Sequence, residues 1–400
     1  MATCIISTNL TRSSNDLGKD ITSTGLLGIN LQLLIGPTIA TPAPASITEA
    51  IKSIEVTNSD SGRSGFQIVF MLGRGGGDMM DYSLFNTSLI RPFTRVIIVV
   101  NIGTTRIVLL DGFITHYQFS PSDSPGASTF TVTGEDYSII MDRIKLSMPH
   151  PAQPDVIIVG KILMQYGLIP VVIPPLQMVV PIPVKETPLQ IGTDLEYIQQ
   201  LAQKYNYVFY VEPTDDPGTN IAYWGPSVRA GGVQKALTVN MGAATNTTSI
   251  SIQNNALEPK MVVGVIQDEN AQNIPIPIFV PLPLPPYLAS RPAHIFNQPY
   301  VKKTLFPSEG EHNVLSAYIS ALGEVDSSKD VVTVSGEVDT PRYGNILRAR
   351  RLVSLRGVGT THDGLYYVKS VTHKIERGTY KQSFTLVREG NGSIIAGVNP

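Results

Sequence analysis

The chain has 400 residues, of which 42% are hydrophobic and 16% charged, and its formal net charge is −2. This length exceeds one ordinary core and indicates about two to four domains. The near-neutral balance excludes a broad basic surface for nucleic acid or anionic membranes, and the single cysteine, Cys4, excludes a disulfide framework and a Cys-based zinc site.

The charged fraction is low compared with about 25% in typical soluble domains. Such a composition favours a subunit that buries much of its surface against permanent neighbours. A monomer covered with Ser, Thr and Asn would have a similar composition, so both interpretations stay open at this point.

The first third of the chain predicts an arm followed by a β-domain. Residues 1–45 read as a weakly structured N-terminal arm that ends in the proline- and alanine-rich stretch GPTIATPAPAS. Residues 46–136 contain short apolar stretches such as RVIIVVNIG, separated by Gly, Asn and Ser turns, and this pattern predicts a β-barrel or sandwich.

Residues 137–235 predict a small α/β domain. In PDVIIVGKILMQYGL, Asp155 is the expected N-cap and Gly167 the residue that ends the helix. In TDLEYIQQLAQKY, Thr193 and Glu196 form a capping box before a second helix. NYVFYVEPTDDPGTNIAYWGP then predicts a β-hairpin across a Pro-Gly turn.

Residues 236–330 predict strands, a proline-rich insertion and a helix that lead into a second β-domain. The prolines within 274–292 require an extended chain without the N–H groups for an internal sheet position, so we expect this stretch to pack along a surface. The helix is expected to start at Ser308 with a capping box and to end at Gly323. Its expected buried face consists of Val314, Leu315, Tyr318, Ile319 and Leu322. Residues 331–390 predict the second β-domain and 391–400 a frayed tail.

Three long uncharged runs, at 21–48, 162–184 and 270–290, are each interrupted by prolines, so no membrane-spanning helix is predicted.

Two stretches of the chain resemble each other. LDGFITHYQFSPSDSPGASTFTVTGED (110–136) and HDGLYYVKSVTHKIERGTYKQSFTLVRE (362–389) both begin with an Asp-Gly pair and continue as two alternating strands around a turn. A Gly-Thr-Thr sequence precedes each one. The pattern predicts one β unit used twice, although chance similarity between glycine-rich hairpins is a competing explanation.

Catalytic and metal-binding motifs are not evident. The six histidines lack the spacing of a metal site on one helix, and a lone strand histidine such as His373 is typical of a structural residue. LGRGGGDM lacks the Lys-Ser or Lys-Thr of a phosphate loop. The acidic pairs Glu135-Asp136 and Asp215-Asp216 lie side by side, whereas glycosidase carboxylates must face each other across a substrate. We therefore expect no enzyme, no cofactor and no metal.

The order of these segments resembles the phage late control D family, the baseplate hub proteins of contractile tails, which are related to the hub portion of type VI secretion spike proteins. Four stretches carry the resemblance, which spans most of residues 105–390. They are LLDGFITHYQFSPSDSPGASTFTVTGEDYSIIMDR, PDVIIVGKILMQYGLIP, TDLEYIQQLAQKYNYVFYVEP with IAYWGP, and LRARRLVSLRGVGTTHDGLYYVKSVTHKIERGTYKQSFTLVRE.

The resemblance implies an α+β, mainly β fold, in which two tail-tube-type antiparallel β-barrel domains flank a small α/β domain. It also implies a homotrimer whose six barrels form a pseudo-sixfold ring between a trimeric spike protein and the hexameric tail tube protein. Such a chain would lie at the baseplate centre of a virion or injection particle, after assembly in the bacterial cytoplasm. The arm and the proline-rich stretches exceed the family core and are candidate contacts to other baseplate proteins.

Two alternatives accompany this interpretation. One is another tube-like adaptor or tube-initiating ring protein, and the other is a cell-wall-degrading tail enzyme. The residues expected at an assembly interface come from the two hairpins and from the basic cluster before the second one. They are Asp111, Gly112, Phe113, Phe130, Asp363, Gly364, Tyr366, Phe384, Arg348, Arg350 and Arg351.

Overall fold

The computed structural model describes residues 23–24, 28–60, 62–73, 89–124, 126–175, 187–267, 275–306 and 314–394. Within these ranges the strands are β1 (Ser23–Thr24), β2 (Ile29–Gly36), β3 (Thr41–Pro42), β4 (Ile51–Ser59), β5 (Gly65–Leu72), β6 (Arg95–Ile102), β7 (Thr105–Ser120), β8 (Ser128–Asp136), β9 (Leu146–Pro149), β10 (Ile169–Val172), β11 (Leu189–Gly192), β12 (Val208–Pro213), β13 (Asn220–Gly225), β14 (Val233–Thr238), β15 (Thr247–Asn254), β16 (Lys260–Gln267), β17 (Pro275–Val280), β18 (Ala289–Pro292), β19 (Lys302–Leu305), β20 (Val332–Asp339), β21 (Leu352–Arg356), β22 (Gly364–Glu376), β23 (Thr379–Arg388) and β24 (Gly390–Ser393). The helices are α1 (Ala45–Ala50), α2 (Asp155–Gln165), α3 (Asp194–Lys204), α4 (Ala293–Phe296), α5 (Val314–Ser327) and α6 (Thr340–Tyr343), with 3-10 turns at Tyr137–Asp142 and Gly242–Ala244. The predicted α+β, mainly β class is confirmed.

One 14-stranded sheet runs through most of the molecule. Its first half has the order β2-β6-β7-β8-β5-β4, and we call these strands the first β unit. Its second half has the order β14-β21-β22-β23-β20-β15, which we call the second β unit. The two units are joined edge to edge, because β4 pairs with β22.

The strand order shows that the two β units are copies of one arrangement. Each strand of one unit has a counterpart in the other. In sheet order, β4, β5, β8, β7, β6 and β2 correspond to β15, β20, β23, β22, β21 and β14. Neighbouring strands are antiparallel throughout except for β14, which runs parallel to β21, whereas β2 runs antiparallel to β6. The hypothesis of one β unit used twice is confirmed at the level of topology.

Two pairs of irregularities in the ladders coincide as well, whereas the register shifts in the β6–β7 and β14–β21 ladders have no counterpart in the other unit. A β-bulge at Thr115 separates two stretches of the β7–β8 ladder, and a bulge at Lys369 separates the same stretches of β22–β23. A second pair of bulges lies at Lys52 in β4 and at Thr248 in β15. Bulges fix strand register, so these two coincident pairs define the equivalence residue by residue.

The turn before β6 and the turn before β21 are also equivalent. Phe93 and Arg350 both have positive φ, at 63° and 64°. Each donates its backbone N–H to the residue before the bulge, Phe93 to Ile114 and Arg350 to Val368. The same backbone conformation therefore recurs in both copies.

The two Asp-Gly pairs, by contrast, are not structurally equivalent. Asp111 and Gly112 lie in the middle of β7, whereas Asp363 precedes β22 and Gly364 begins it. The ladder register matches Gly112 with Tyr366, two residues beyond Gly364. A shift of two residues keeps every side chain on the same face of a strand, so the alternating pattern could not reveal it.

Each β unit encloses its own hydrophobic core. The first core contains strand residues such as Ile68 of β5 and Ile98 of β6, both of which are buried. The second core is built in the same way, for example from Val334 of β20 and Leu386 of β23.

The two cores meet at the β4–β22 junction. Ile375 and Tyr380 belong to the β22–β23 hairpin of the second unit, yet their side chains pack into the first core. Val371, earlier on the same strand, belongs to the second core. Strand β22 therefore contributes to both cores along its length.

The small α/β domain packs α2 and α3 against the sheet β10-β13-β12. The predicted capping box is confirmed: the Thr193 side chain accepts from the backbone of Glu196, whose carboxylate accepts from the backbone of Thr193. Gly167 follows α2 with a φ of 69°, as expected for the residue that ends a helix. The expected N-cap was one residue off, because Asp155 is the first residue of α2 and Pro154 occupies the N-cap position.

The proline-rich insertion contributes β17, an edge strand of the sheet β17-β16-β19, which α5 covers on one face. The expected helix start at Ser308 lies outside the described residues. The expected end at Gly323 is wrong, because α5 continues to Ser327.

The buried face of α5 agrees in part with the predicted one, because Val314 and Leu322 pack against the core that the helix forms with its sheet. Its buried positions among the described side chains are Ala317, Ala321 and Val325, whereas Tyr318 is exposed. The other predicted members that the structure describes are partly buried, and they are Val314, Ile319 and Leu322. The side chain of Leu315 lies outside the described part of the chain.

Some strands of the two β units lie outside the residue ranges predicted for the two β-domains. β2 falls within residues 1–45, yet it pairs with β6 along its whole length and buries most of its side chains. β14 and β15 fall largely within residues 236–330 or just before them and belong to the second β unit.

Candidate functional site: the junction between the two β units

The junction is a ladder of seven residue pairs, from Ser53–Glu376 to Ser59–Ser370. One edge of β22 changes partner along its length, because residues 364–367 pair with β21 and residues 370–376 pair with β4. The bulge at Lys369 separates the two stretches, and its carbonyl oxygen accepts a hydrogen bond from the backbone N–H of Asp60. The bulge thus turns one strand from the second β unit toward the first.

Side chains reinforce the junction ladder. Thr57 and Thr372 lie opposite each other, and their hydroxyl oxygens are 3.1 Å apart. Two residues further along the same face, Glu55 lies opposite Lys374, so the charges that face each other are of opposite sign.

His373 is the titratable side chain at the centre of the junction. It is 1% exposed, and its Nδ1 lies 3.0 Å from the hydroxyl of Tyr380. Burial lowers the pKa of His373 to about 3, so the imidazole is neutral at physiological pH. This environment agrees with the structural role predicted for the histidine.

A buried ion pair connects the first β unit to the small α/β domain. Arg95 of β6 donates to both carboxylate oxygens of Asp111, at 2.8 and 2.6 Å. Asn220 of β13 donates to the same carboxylate at 2.9 Å, and Arg95 also reaches the carbonyl oxygen of Gly218 at 2.9 Å. Asp111 therefore holds the β12–β13 hairpin against β7.

The basic cluster connects the second β unit to the same hairpin. Arg348 forms an ion pair with Asp215 at 2.8 Å. The guanidinium of Arg350 lies 3.9 Å from the ring centroid of Tyr210 and 3.6 Å from the carboxylate of Glu212. The same guanidinium donates to the carbonyl oxygen at position 59, at the end of β4. Arg350 thus touches both β units and the α/β domain.

A cavity of about 240 Å³ lies where the three parts meet. Residues of β7, of the β12–β13 hairpin and of the segment before β21 line it, together with Asp136 and His373. Burial raises the pKa of Asp136, although its carboxylate accepts from Ser138 and from the backbone N–H of Ser64. These contacts make Asp136 the cap of the following 3-10 turn.

The other carboxylates considered as catalytic candidates also have contacts within the chain. Glu135 pairs with Arg63 at 2.6 Å, and Asp215 pairs with Arg348. Asp216 lies in the turn of the β12–β13 hairpin. Among the residues that the structure describes, no cluster of His, Cys, Asp and Glu has the geometry to hold a metal ion, and no helix has the length and apolarity to cross a membrane.

The residues expected at an assembly interface fall into two groups. Phe130, Tyr366 and Phe384 are at most 3% exposed and lie in the cores, so their side chains have no surface to offer another chain. Gly112 and Gly364 are also buried.

The remaining members contact other parts of the same chain or face solvent. Phe113 is half-buried, with its ring centroid 5.4 Å from that of Tyr137. Asp363 accepts from the backbone N–H of Val358 at 2.9 Å and so closes the loop before β22. Arg351 is exposed, and a role of this residue at an interface stays a prediction.

Sequence reasoning missed several residues of the junction. Thr57, Asn220 and Tyr210 act through partners that are far away in the sequence, and no local pattern identifies such pairs. Arg95 opens a strand that was predicted, but its partner Asp111 was assigned to a repeat motif, which hid its contact with the α/β domain.

Comparison with known proteins gives matches of structure alone. No protein-family model matches the sequence, and comparison with curated proteins gives no significant match. The 43 kDa tail protein of prophage MuSo2 from Shewanella oneidensis superposes with a TM-score of 0.60 at 13% identity, over 90% of this chain and 98% of the other. The tail protein from Neisseria meningitidis gives a TM-score of 0.60 at 11% identity, over 90% and 97%.

A component of the E. coli type VI secretion system, which exhibits structural similarity to the T4 bacteriophage tail proteins gp27 and gp5, gives a TM-score of 0.50 at 11% identity over 88% of this chain and 76% of the other. These likenesses agree with the fold that the sequence resemblance implied. The chain has the fold of phage tail proteins, a fold that it shares with a type VI secretion component.

Proposed function

We propose that this chain is the baseplate hub of a contractile phage tail or a phage-like injection particle, with a structural and not a catalytic role. The internal duplication carries the proposal. Two β units with the same strand order and two coincident pairs of bulges are joined in one chain by a seven-pair ladder. Three such chains would supply six equivalent units, which matches a sixfold tube, while the whole ring keeps threefold symmetry for a spike.

The proposed partners follow from this symmetry. The hub would form a homotrimer, seat the hexameric tail tube protein on one face and hold a trimeric spike protein on the other. Other baseplate proteins would surround it at the centre of the particle, after assembly in the bacterial cytoplasm. The low charged fraction of 16% supports a surface that is largely covered by such neighbours.

Native mass spectrometry of the purified chain, alone and with the spike protein of the same particle, tests the proposal. We expect a trimer that captures one trimeric spike. A hexamer would instead favour the tube-like adaptor ring. A chain that stays monomeric even with the spike protein would contradict the hub assignment.

A further inference from the structure

Two strand edges that have no partner among the described strands are the counterparts of the two edges that meet in the junction. β15 pairs with β20 on one side, and no described strand pairs with its other side. On β7, the edge that carries β6 is paired up to Phe113 and, through Thr94, at Ile114. No described strand pairs with that edge from His116 to Ser120.

The equivalence of the two β units says what such edges contact. β15 is the counterpart of β4, and the stretch of β7 after its bulge is the counterpart of the stretch of β22 after its bulge. Within the chain, β4 and that stretch of β22 pair with each other. Each β unit therefore carries both kinds of strand edge that form the junction. Within the chain, the first unit uses its β4 edge and the second unit uses its β22 edge, so the equivalent edges of β7 and β15 are not used in this junction.

We propose that β15 of one chain, with Asn255 that follows it, pairs antiparallel with residues 116–120 of β7 in a second copy of this chain, and so repeats the β4–β22 junction between chains. This inference rests on the proposed trimer and names the strands that close it. Transfer of the junction register gives five residue pairs. They are His116–Asn255, Tyr117–Asn254, Gln118–Gln253, Phe119–Ile252 and Ser120–Ser251.

The exposure of these residues fits a contact that is made only in the assembly. Val371 is fully buried in the second core beside the junction, whereas its counterpart Tyr117 is 50% exposed in the single chain. Gln118 and Gln253 are both exposed, and they are the counterparts of the paired threonines of the junction ladder. Two amide side chains opposite each other can form the same kind of polar pair.

The chemistry of β15 also suits strand addition. Its sequence TTSISIQN contains no charge and no proline, whereas natural proteins usually protect an uncovered edge with such residues. The other end of the 14-stranded sheet differs, because the short strands β1 and β3 of the same chain pair with β2 there. Among the described strands, the long path of the sheet is thus covered at one end and uncovered at β15.

The proposed contact joins different surfaces on the two chains, and such a head-to-tail contact forms a closed ring when the rotation is suitable. Repetition of the internal junction would relate all six β units by the same operation, and the ring closes when that operation is a rotation by one sixth of a turn. Three junctions within chains and three between chains would alternate around the ring. The shorter β7–β8 hairpin makes the junction between chains five pairs long, compared with seven within the chain.

Cysteine cross-linking tests the pairing and its register. In a Cys4→Ser background, Gln118→Cys combined with Gln253→Cys should give disulfide-linked dimers and trimers on a non-reducing gel. Thr57→Cys with Thr372→Cys is the matched control within the chain, and it should oxidise without a change in mass to dimer or trimer. Gln118→Cys with Ser251→Cys shifts the register by two residues and should not cross-link.

Charge substitutions give an independent measurement at the same exposed positions. Gln118→Lys with Gln253→Lys places like charges opposite each other and should weaken trimer formation about tenfold, whereas Gln118→Glu with Gln253→Lys should restore it. A native trimer that shows neither the cross-link nor this charge dependence would overturn the strand pairing and leave the hub trimer standing. A chain that stays monomeric with its spike protein would overturn both.

Discussion

The buried histidine of the junction makes the stability of the fold depend on pH in a calculable way. The pKa of His373 is about 3 in the folded chain and about 6.5 in an unfolded one. The unfolded state therefore binds the proton first as the pH falls, and the folded state loses stability between about pH 6.5 and pH 3. At pH 5 the loss relative to pH 7 amounts to about 2 kcal/mol.

The assay compares urea unfolding at pH 7 and pH 5 for the wild-type chain and for His373→Gln, at one fixed protein concentration. Circular dichroism of the sheet gives the free energy of unfolding. The glutamine cannot titrate but can accept the hydrogen bond of the Tyr380 hydroxyl. We expect the variant to lose about 2 kcal/mol less than the wild type on acidification.

Tyr380→Phe is the matched control, because it removes the hydrogen bond and keeps the titrating imidazole. It should lower stability at both pH values and retain the wild-type pH dependence. Asp136, whose raised pKa acts in the opposite direction, is present in all three chains and cancels in the comparison. Equal acid losses in the wild type and His373→Gln would refute a neutral, buried His373.

Three further predictions concern other parts of the chain. Asp111→Ala should cost about 3 kcal/mol of unfolding free energy, measured by urea unfolding, because it leaves the guanidinium of Arg95 buried without its carboxylate. Thr193→Ala should cost about 1 kcal/mol and expose the start of α3 to hydrogen exchange, because it removes the cap. Gly112→Ala should cost about 2 kcal/mol or more in thermal unfolding, because a Cβ atom there would clash with the carbonyl oxygen of Glu135.

Each of these has a control in the same chain. Arg63→Ala removes two more exposed ion pairs, with Glu135 and with Asp142, and should cost less than Asp111→Ala. Thr193→Ser keeps the capping hydroxyl and should preserve protection of α3. Gly160→Ala lies in α2 with no atom within 4 Å of the new methyl group, and it should stabilise the chain by about 0.5 kcal/mol. If a control variant were destabilised more than the variant with which it is paired, the contact given as the cause would be contradicted.

The sequence allowed the repeat of the β unit to be predicted but not its register. The Asp-Gly pairs suggested that Gly112 matches Gly364, whereas the ladders match Gly112 with Tyr366. Bulges set this register, and a bulge at Thr115 or Lys369 has no distinctive sequence. Partners far apart in the chain, such as the basic cluster and the β12–β13 hairpin, were likewise beyond the reach of local patterns.

Helix α5 shows a second limit of pattern reading. Large apolar residues suggested a buried face through Tyr318, but small residues at Ala317 and Ala321 let the helix approach its sheet closely. Gly323 was expected to end the helix. It lies instead within α5, where a Cβ atom would come within 2.7 Å of the side chain of Asn206, so the glycine permits close packing against the α/β domain. The capping box of α3 was predictable because all of its contacts are local.

The prolines of edge strand β17 limit non-native strand pairing by a newly synthesised chain. Pro275 and Pro277 are opposite Gln267 and Val265 of β16, and neither has an N–H to offer to a further strand. The chain therefore has one sheet edge that resists pairing with further strands, whereas the edge of β15 lacks that protection. Aggregation of chains that have not assembled should consequently begin at β15, and assembly into the proposed ring, which covers this edge, should keep the chain soluble.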